Sequence, residues 1–115
     1  MTDPSPLSVS TVMTDRHALV TINGEIDLAT APEVEAAIRA SIDDGAGSVA
    51  IDMSGTTFMT CAGIGALVAA RHHGQHTHVS VGVTRPSTPV SRMLRLGGVA
   101  ALLLSATSAD DLAPA

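Results

Sequence analysis

The 115-residue sequence has no tryptophan, no tyrosine and a single phenylalanine, Phe58. Surfaces that stack nucleobases on aromatic rings need several such side chains, so that mode of single-strand recognition is excluded. Basic residues are scarce as well: six Lys and Arg stand against eleven Asp and Glu, a formal net charge of −5. A protein that neutralises nucleic-acid phosphates carries the opposite balance, and direct DNA binding is disfavoured. One cysteine, Cys61, cannot build an internal disulfide framework and suits a reducing compartment. Residues 1–6 lack the basic flank and apolar run of a signal peptide, and no stretch is long and apolar enough to span a membrane. These absences predict a cytoplasmic protein with no membrane insertion.

What is present is aliphatic. Hydrophobic residues make up 45% of the chain, enough to close one core at this length without metal or disulfides. No repeat or internal linker divides the sequence, so a single domain is expected over residues 7–111, with flexible ends at 1–6 and 112–115. Residues 7–13 and 18–23 are β-prone runs joined by a short polar turn, an antiparallel hairpin whose second strand breaks at Asn23 and Gly24. Thr30 and Glu33 stand at capping-box spacing around Pro32, and Val34, Ala37, Ile38 and Ile42 follow at helical period, so a first helix runs to about Gly45. Residues 49–53 read as a central strand. The turn Ser54, Gly55, Thr56 follows, and a second helix starts near Thr60.

That second helix is expected to bury Ile64, Leu67 and Val68, to keep a low surface at Gly63, Gly65, Ala66, Ala69 and Ala70, and to end at Gly74. Val79, Val81 and Val83 read as a strand. A third helix begins near Ser87, turns Val90, Met93 and Leu94 inward and stops at Gly97 and Gly98. Residues 101–104 read as a last strand and residues 108–112 as a helical turn. The order β-β-α-β-α-β-α-β predicts an α/β domain: a mostly parallel mixed sheet with an antiparallel first strand, packed with three to four helices.

Two segments resemble the signature stretches of the STAS domain family: Gly24, Glu25, Ile26 and Asp27 opening onto the Thr30 helix, and residues 52–59 (DMSGTTFM) followed by Gly63, Ile64, Gly65, Ala66 and Leu67. The similarity in element order covers nearly the whole chain. It implies an anti-sigma factor antagonist, which binds a GHKL-type serine kinase doubling as an anti-sigma factor, releases a sigma factor and so regulates transcription indirectly. In the family a serine at the start of the second helix is phosphorylated within the motif Phe-Met-Asp-Ser-Ser-Gly. Here the motif reads Phe58, Met59, Thr60, Cys61, Ala62, Gly63, with Cys61 at the serine's place. The partner-binding surface implied by the resemblance comprises Glu25, Asp27, Thr30, Met59, Thr60, Cys61, Ala62, Gly63 and Gly65.

A helix start offers unpaired N–H groups to solvent and partners, and a phosphate there adds about −1.5 to −2 charges to a docking surface. Cys61 cannot take that phosphate from a conventional serine/threonine kinase, which predicts constitutive binding. Thr60 is the alternative phosphoacceptor, displaced by one residue, with helix capping as its simpler role. Redox sensing or catalysis by Cys61 has less support, because residues 56–67 supply no Lys, Arg or His to activate a thiol. No catalytic residue is assigned.

His72, His73, His76 and His78 form the other conspicuous cluster. His72 and His76 have the spacing to share a metal on one helix face, but a helix ending at Gly74 would part them, so neither metal nor cofactor is expected. Asp27 and Asp52, a pair that in other settings signals acid/base chemistry, have simpler roles: Asp27 orients its loop and Asp52 ties down the Ser54, Gly55 turn. Similar domains also serve as accessory STAS subunits of membrane transporters, the alternative reading, and fold alone does not separate the two. For oligomeric state the sequence leaves a monomer or a weak dimer.

Overall fold

The hairpin forms as its sequence directs. In the structure, a computed structural model that describes residues 7–104, β1 (Leu7–Thr14) pairs antiparallel with β2 (His17–Ile26), with Leu7 opposite Gly24 and Thr14 opposite His17. Asp15 and Arg16 turn the chain with φ of 48° and 68°, the left-handed pair that matches strand twist in a two-residue hairpin. The ends at 1–6 and 112–115 and the helical turn read at 108–112 lie outside the described residues.

β2 is the hub of the sheet. Its Ala18, Val20, Ile22 and Ile26 alternate inward and are buried, as the two-residue period of a strand requires. Parallel to it run β3 (Ser48–Asp52) along its first half and β4 (Thr56–Met59) along its last residues, and β5 (Ser80–Val83) extends the sheet beyond β3. The sheet is therefore five-stranded and mixed, with β1 the antiparallel member and β3 flanked by β2 and β5.

The structure corrects three sequence expectations here. β2 does not break at Gly24 but continues to Ile26, absorbing a register shift between Gly24 and Glu25 where β4 joins it. Residues 56–59 form that extra strand, where the sequence predicts only the end of a turn at Thr56 and the approach to a helix. Residues 101–104, read as a last strand, belong to a helical turn at 100–104 that buries Leu103.

Three longer helices complete the domain: α1 (Ala31–Asp43), α2 (Cys61–His76) and α3 (Thr88–Leu96). α1 turns Val34, Ile38 and Ile42 into the core. α2 buries Gly63, Ala66, Leu67, Ala70 and Gly74, a stripe of mostly small residues, while Ile64 and Val68 are only half-buried. Gly63, Ala66, Ala70 and Gly74 thus face inward, while Ala62 and Ala69 are half-buried and Gly65 is exposed. α2 also runs past Gly74. A Cβ on that residue would stand 2.8 Å from the Val79 carbonyl oxygen, so the glycine is there for close packing and not as a stop. The helix ends instead at His76, and beyond its C-cap Thr77 the chain turns at His78, which takes φ +60° while the Val79 N–H donates to Gly74 O at 2.8 Å and the His78 N–H to Gln75 O at 3.3 Å. This is a Schellman ending, with His78 in the place that Gly45 takes after α1 and Gly98 after α3.

Candidate functional site

Parallel β2 and β4 end side by side, with Ile26 opposite Met59. The next residue of each strand opens a helix: Asp27 leads through a loop into α1, and Thr60 leads directly into α2. The Thr60 N–H donates to the Ile26 carbonyl at 3.0 Å, which brings the two helix starts to one edge of the sheet.

Asp27 organises its loop with every polar group it has. Its Oδ1 accepts from the N–H groups of Ala29 at 2.9 Å and Thr30 at 3.0 Å. Its carbonyl accepts from the Ala31 N–H at 2.8 Å, and its own N–H donates to Thr30 Oγ1 at 2.9 Å. The Thr30 hydroxyl has one proton to share between Glu25 O at 3.1 Å and Asp27 Oδ1 at 3.2 Å. The expected capping box at Thr30 and Glu33 is therefore replaced: Thr30 is the N-cap, but its side chain points back into the loop and makes no cap bond to the helix.

Thr60 caps α2 in the expected way, with extended backbone and Oγ1 accepting from the Ala62 N–H at 3.3 Å. Cys61 follows as the first helical residue and is exposed. Gly65, one turn on, is exposed too, and a Cβ there would meet nothing. Ala62 is half-buried between them. Beneath this tip the chain is tightly filled: Met59 is only 2% exposed, and a Cβ on Gly63 would stand 2.5 Å from Met59 Cγ and 3.0 Å from Ile26 Cγ2. Met59 and Gly63, read from sequence as parts of the partner surface, are core residues that support the tip from below.

Sequence reasoning passed over two residues that the structure brings into view. Leu28 lies 82% exposed in the loop after Asp27, and Phe58 lies 50% exposed on β4 opposite Glu25, which is itself exposed. Leu28 follows Asp27 and Phe58 precedes Met59, so each stands beside one of the two paired strand ends, among the exposed apolar residues that any surface carries. The signal was available, since Phe58 is the lone aromatic and Leu28 sits in an otherwise polar or small loop. The open grooves of 480 Å³ beside Arg71 and His78 and of 490 Å³ along Arg92 and Arg95 share no lining residue with the tip.

Asp52 has the role expected of it. Its Oδ1 accepts from the Ser54 N–H at 2.9 Å and the Ser54 hydroxyl at 2.7 Å, and Arg85 stands 3.9 Å from Oδ2. Burial pushes the carboxyl's pKa up, but the two Ser54 hydrogen bonds and Arg85 together outweigh it and hold the group below its ordinary value. The turn so fixed carries Gly55, whose carbonyl accepts from the Gly24 N–H at 3.0 Å, and Thr56, whose buried hydroxyl donates to Ile22 O at 2.9 Å. Asp52 thus anchors β4 to β2 from its far end. Among the described residues no three or more His, Cys, Asp or Glu side chains gather as a metal site would require, and no helix is long and apolar enough to cross a membrane.

The family model of the STAS domain matches residues 8–112. Among solved structures, the chain is similar to an anti-sigma factor antagonist from Mycobacterium paratuberculosis, at 28% identity and TM-score 0.74, with 90% of this chain and 87% of that one covered. It is similar in fold to the Bacillus cell fate determinant SpoIIAA in its phosphorylated form, at 17% identity and TM-score 0.64, covering 84% and 89%. A STAS-domain antisigma-factor antagonist from Rhodobacter sphaeroides aligns at 17% identity and TM-score 0.62, covering 77% and 96%. A comparison with curated protein sequences finds no match.

Proposed function

Because the chain belongs to the STAS domain family, we propose that it is an anti-sigma factor antagonist: it binds a GHKL-type anti-sigma kinase and so frees a sigma factor for transcription. The observation that carries this reading is Cys61, exposed at the first position of α2 with Thr60 bonded to the end of β2. The helix tip and the Asp27 loop form one continuous edge. Glu25, Asp27, Thr60, Cys61, Ala62 and Gly65 supply its small or acidic part and Leu28 and Phe58 its apolar part, while Thr30 shapes the loop.

A partner that docks against this tip meets a small neutral side chain and an open glycine. A phosphate at the same place would add charge and bulk that such a fit does not accommodate. Cys61 takes no phosphate from a serine kinase, so the chain binds constitutively. The reading assigns no catalytic residue.

Affinity capture by the tagged chain from the lysate of its native cell, under reducing and oxidising conditions, tests the reading. A GHKL-type kinase is expected in both eluates, in equal amounts if Cys61 acts by size alone. Recovery of transporter subunits without such a kinase contradicts it.

A further inference from the structure

The continuation of α2 past Gly74 changes the meaning of the histidine cluster. His72 and His76 lie one turn apart on a single unbroken helix, and both are exposed. Their Nε2 atoms are 3.3 Å apart, with ring centroids at 4.8 Å and planes at 84°. In the metal-free state one ring donates its Nε2–H to the lone pair of the other.

The same spacing suits a cation. Two nitrogens about 2.05 Å from a tetrahedral zinc stand roughly 3.3 Å apart, so the Nε2 separation of the pair already matches a zinc bite. Neutral imidazoles are borderline donors that favour zinc, nickel and copper over magnesium and calcium. We propose that His72 and His76 form a two-imidazole chelate for zinc on the outer face of α2, with the remaining coordination positions open to water or to a donor from another molecule.

The neighbouring residues set the limits of this site. His73 is turned away and held by Asp43, Nε2 to Oδ1 at 2.9 Å, where it links α2 to the end of α1. His78 is committed to the left-handed turn that ends the helix. Among the described residues no third His, Cys, Asp or Glu joins the pair, which leaves the site incomplete and so accessible to an outside ligand. Cys61 is eleven residues away along the helix, about 16 Å at 1.5 Å per residue, too far to complete it. The chelate is thus separate from the docking tip and stands whether or not the antagonist reading holds.

The test is zinc titration calorimetry on the full chain without a histidine tag, with imidazole nitrogen shifts followed by NMR. One zinc per chain is expected, with the His72 and His76 resonances moving together. His72→Ala and His76→Ala should each weaken uptake by at least the roughly tenfold that loss of even an outer-shell partner costs a metal site. His78→Ala and Cys61→Ser should leave it unchanged. Half an equivalent per chain with doubled mass, still needing both histidines, supports the chelate with a second copy's pair in the open positions. No saturable uptake overturns the proposal, as does uptake that survives the double variant or vanishes with Cys61→Ser.

Discussion

The carbonyl of Ile26 accepts the N–H of Thr60 at 3.0 Å, one residue beyond the last strand pairing of Ile26 with Met59. This bond ties the entry of α2 to the loop that leads into α1. A surface built from two separate loops is thereby held by sheet geometry, and the exposed side chain at its centre is Cys61. On the antagonist reading proposed above, a change of size or charge at that side chain alters the docking surface without rearrangement of the fold.

The support beneath the tip is tight. Gly63→Ala places a methyl carbon against Met59 and Ile26, and overpacking of this kind costs about 1–3 kcal/mol. Urea unfolding should show an unfolding free energy lower by that amount, and so a lower midpoint. Gly65→Ala, where the same added carbon meets nothing, should leave stability unchanged or raise it slightly, since alanine is the better helix former.

Thr60 serves the helix through its Oγ1. Thr60→Ala removes the cap on the Ala62 N–H and is expected to cost about 1 kcal/mol, while Thr60→Ser keeps the acceptor and should cost little. Denaturant unfolding of the two variants measures the difference.

His78 holds a left-handed conformation that disfavours side chains by roughly 1–2 kcal/mol. His78→Gly should therefore raise stability by about 1 kcal/mol, read as a higher melting temperature. A fall in stability would mean that the imidazole makes a contact worth more than the strain it carries.

Asp52 sets a pH dependence of definite sign. Its carboxyl is held below its ordinary value in the folded chain, so it contributes stability that is complete above the unfolded pKa of about 4 and is lost as pH falls through the lower folded value. Unfolding free energy measured from neutral pH down to acid should decline below about pH 4, and Asp52→Asn should flatten part of that decline.

The sequence made the β-prone run of β2, the helical period of α1, the cap at Thr60 and the helix start near Ser87 legible, because each is a local pattern. What escaped it depends on distant partners. β4 is four residues long, buried only at Thr56 and Met59, and is a strand only because the end of β2 lies beside it after a register shift. Gly74 reads as a helix stop until Val79 is seen pressed against it. The run at 101–104 is aliphatic throughout, and such a run has no period to separate a strand from a buried helical turn. In the site, the position of Cys61 was legible from its motif. The burial of Met59 and the exposure of Phe58 were not, since strand pairing decides which face each presents, and the burial of Gly63 depends on Met59 and Ile26 packed against it.

Replacement of Cys61 by serine restores a phosphoacceptor at the tip. Incubated with the captured kinase and ATP, Cys61→Ser should gain one phosphate by mass spectrometry and the native chain none. Phosphate on Thr60 of the native chain would show that the switch has moved by one residue.

The most direct measurement compares the affinity of the native chain, Cys61→Ser and Cys61→Glu for the purified cognate anti-sigma kinase by titration calorimetry. Docking against a small neutral side chain predicts equal binding for the first two and, for a buried charge costing 2 kcal/mol or more, about a thirtyfold or greater loss for the third. Full affinity of Cys61→Glu would contradict the account, because the partner would then not be touching the tip of α2.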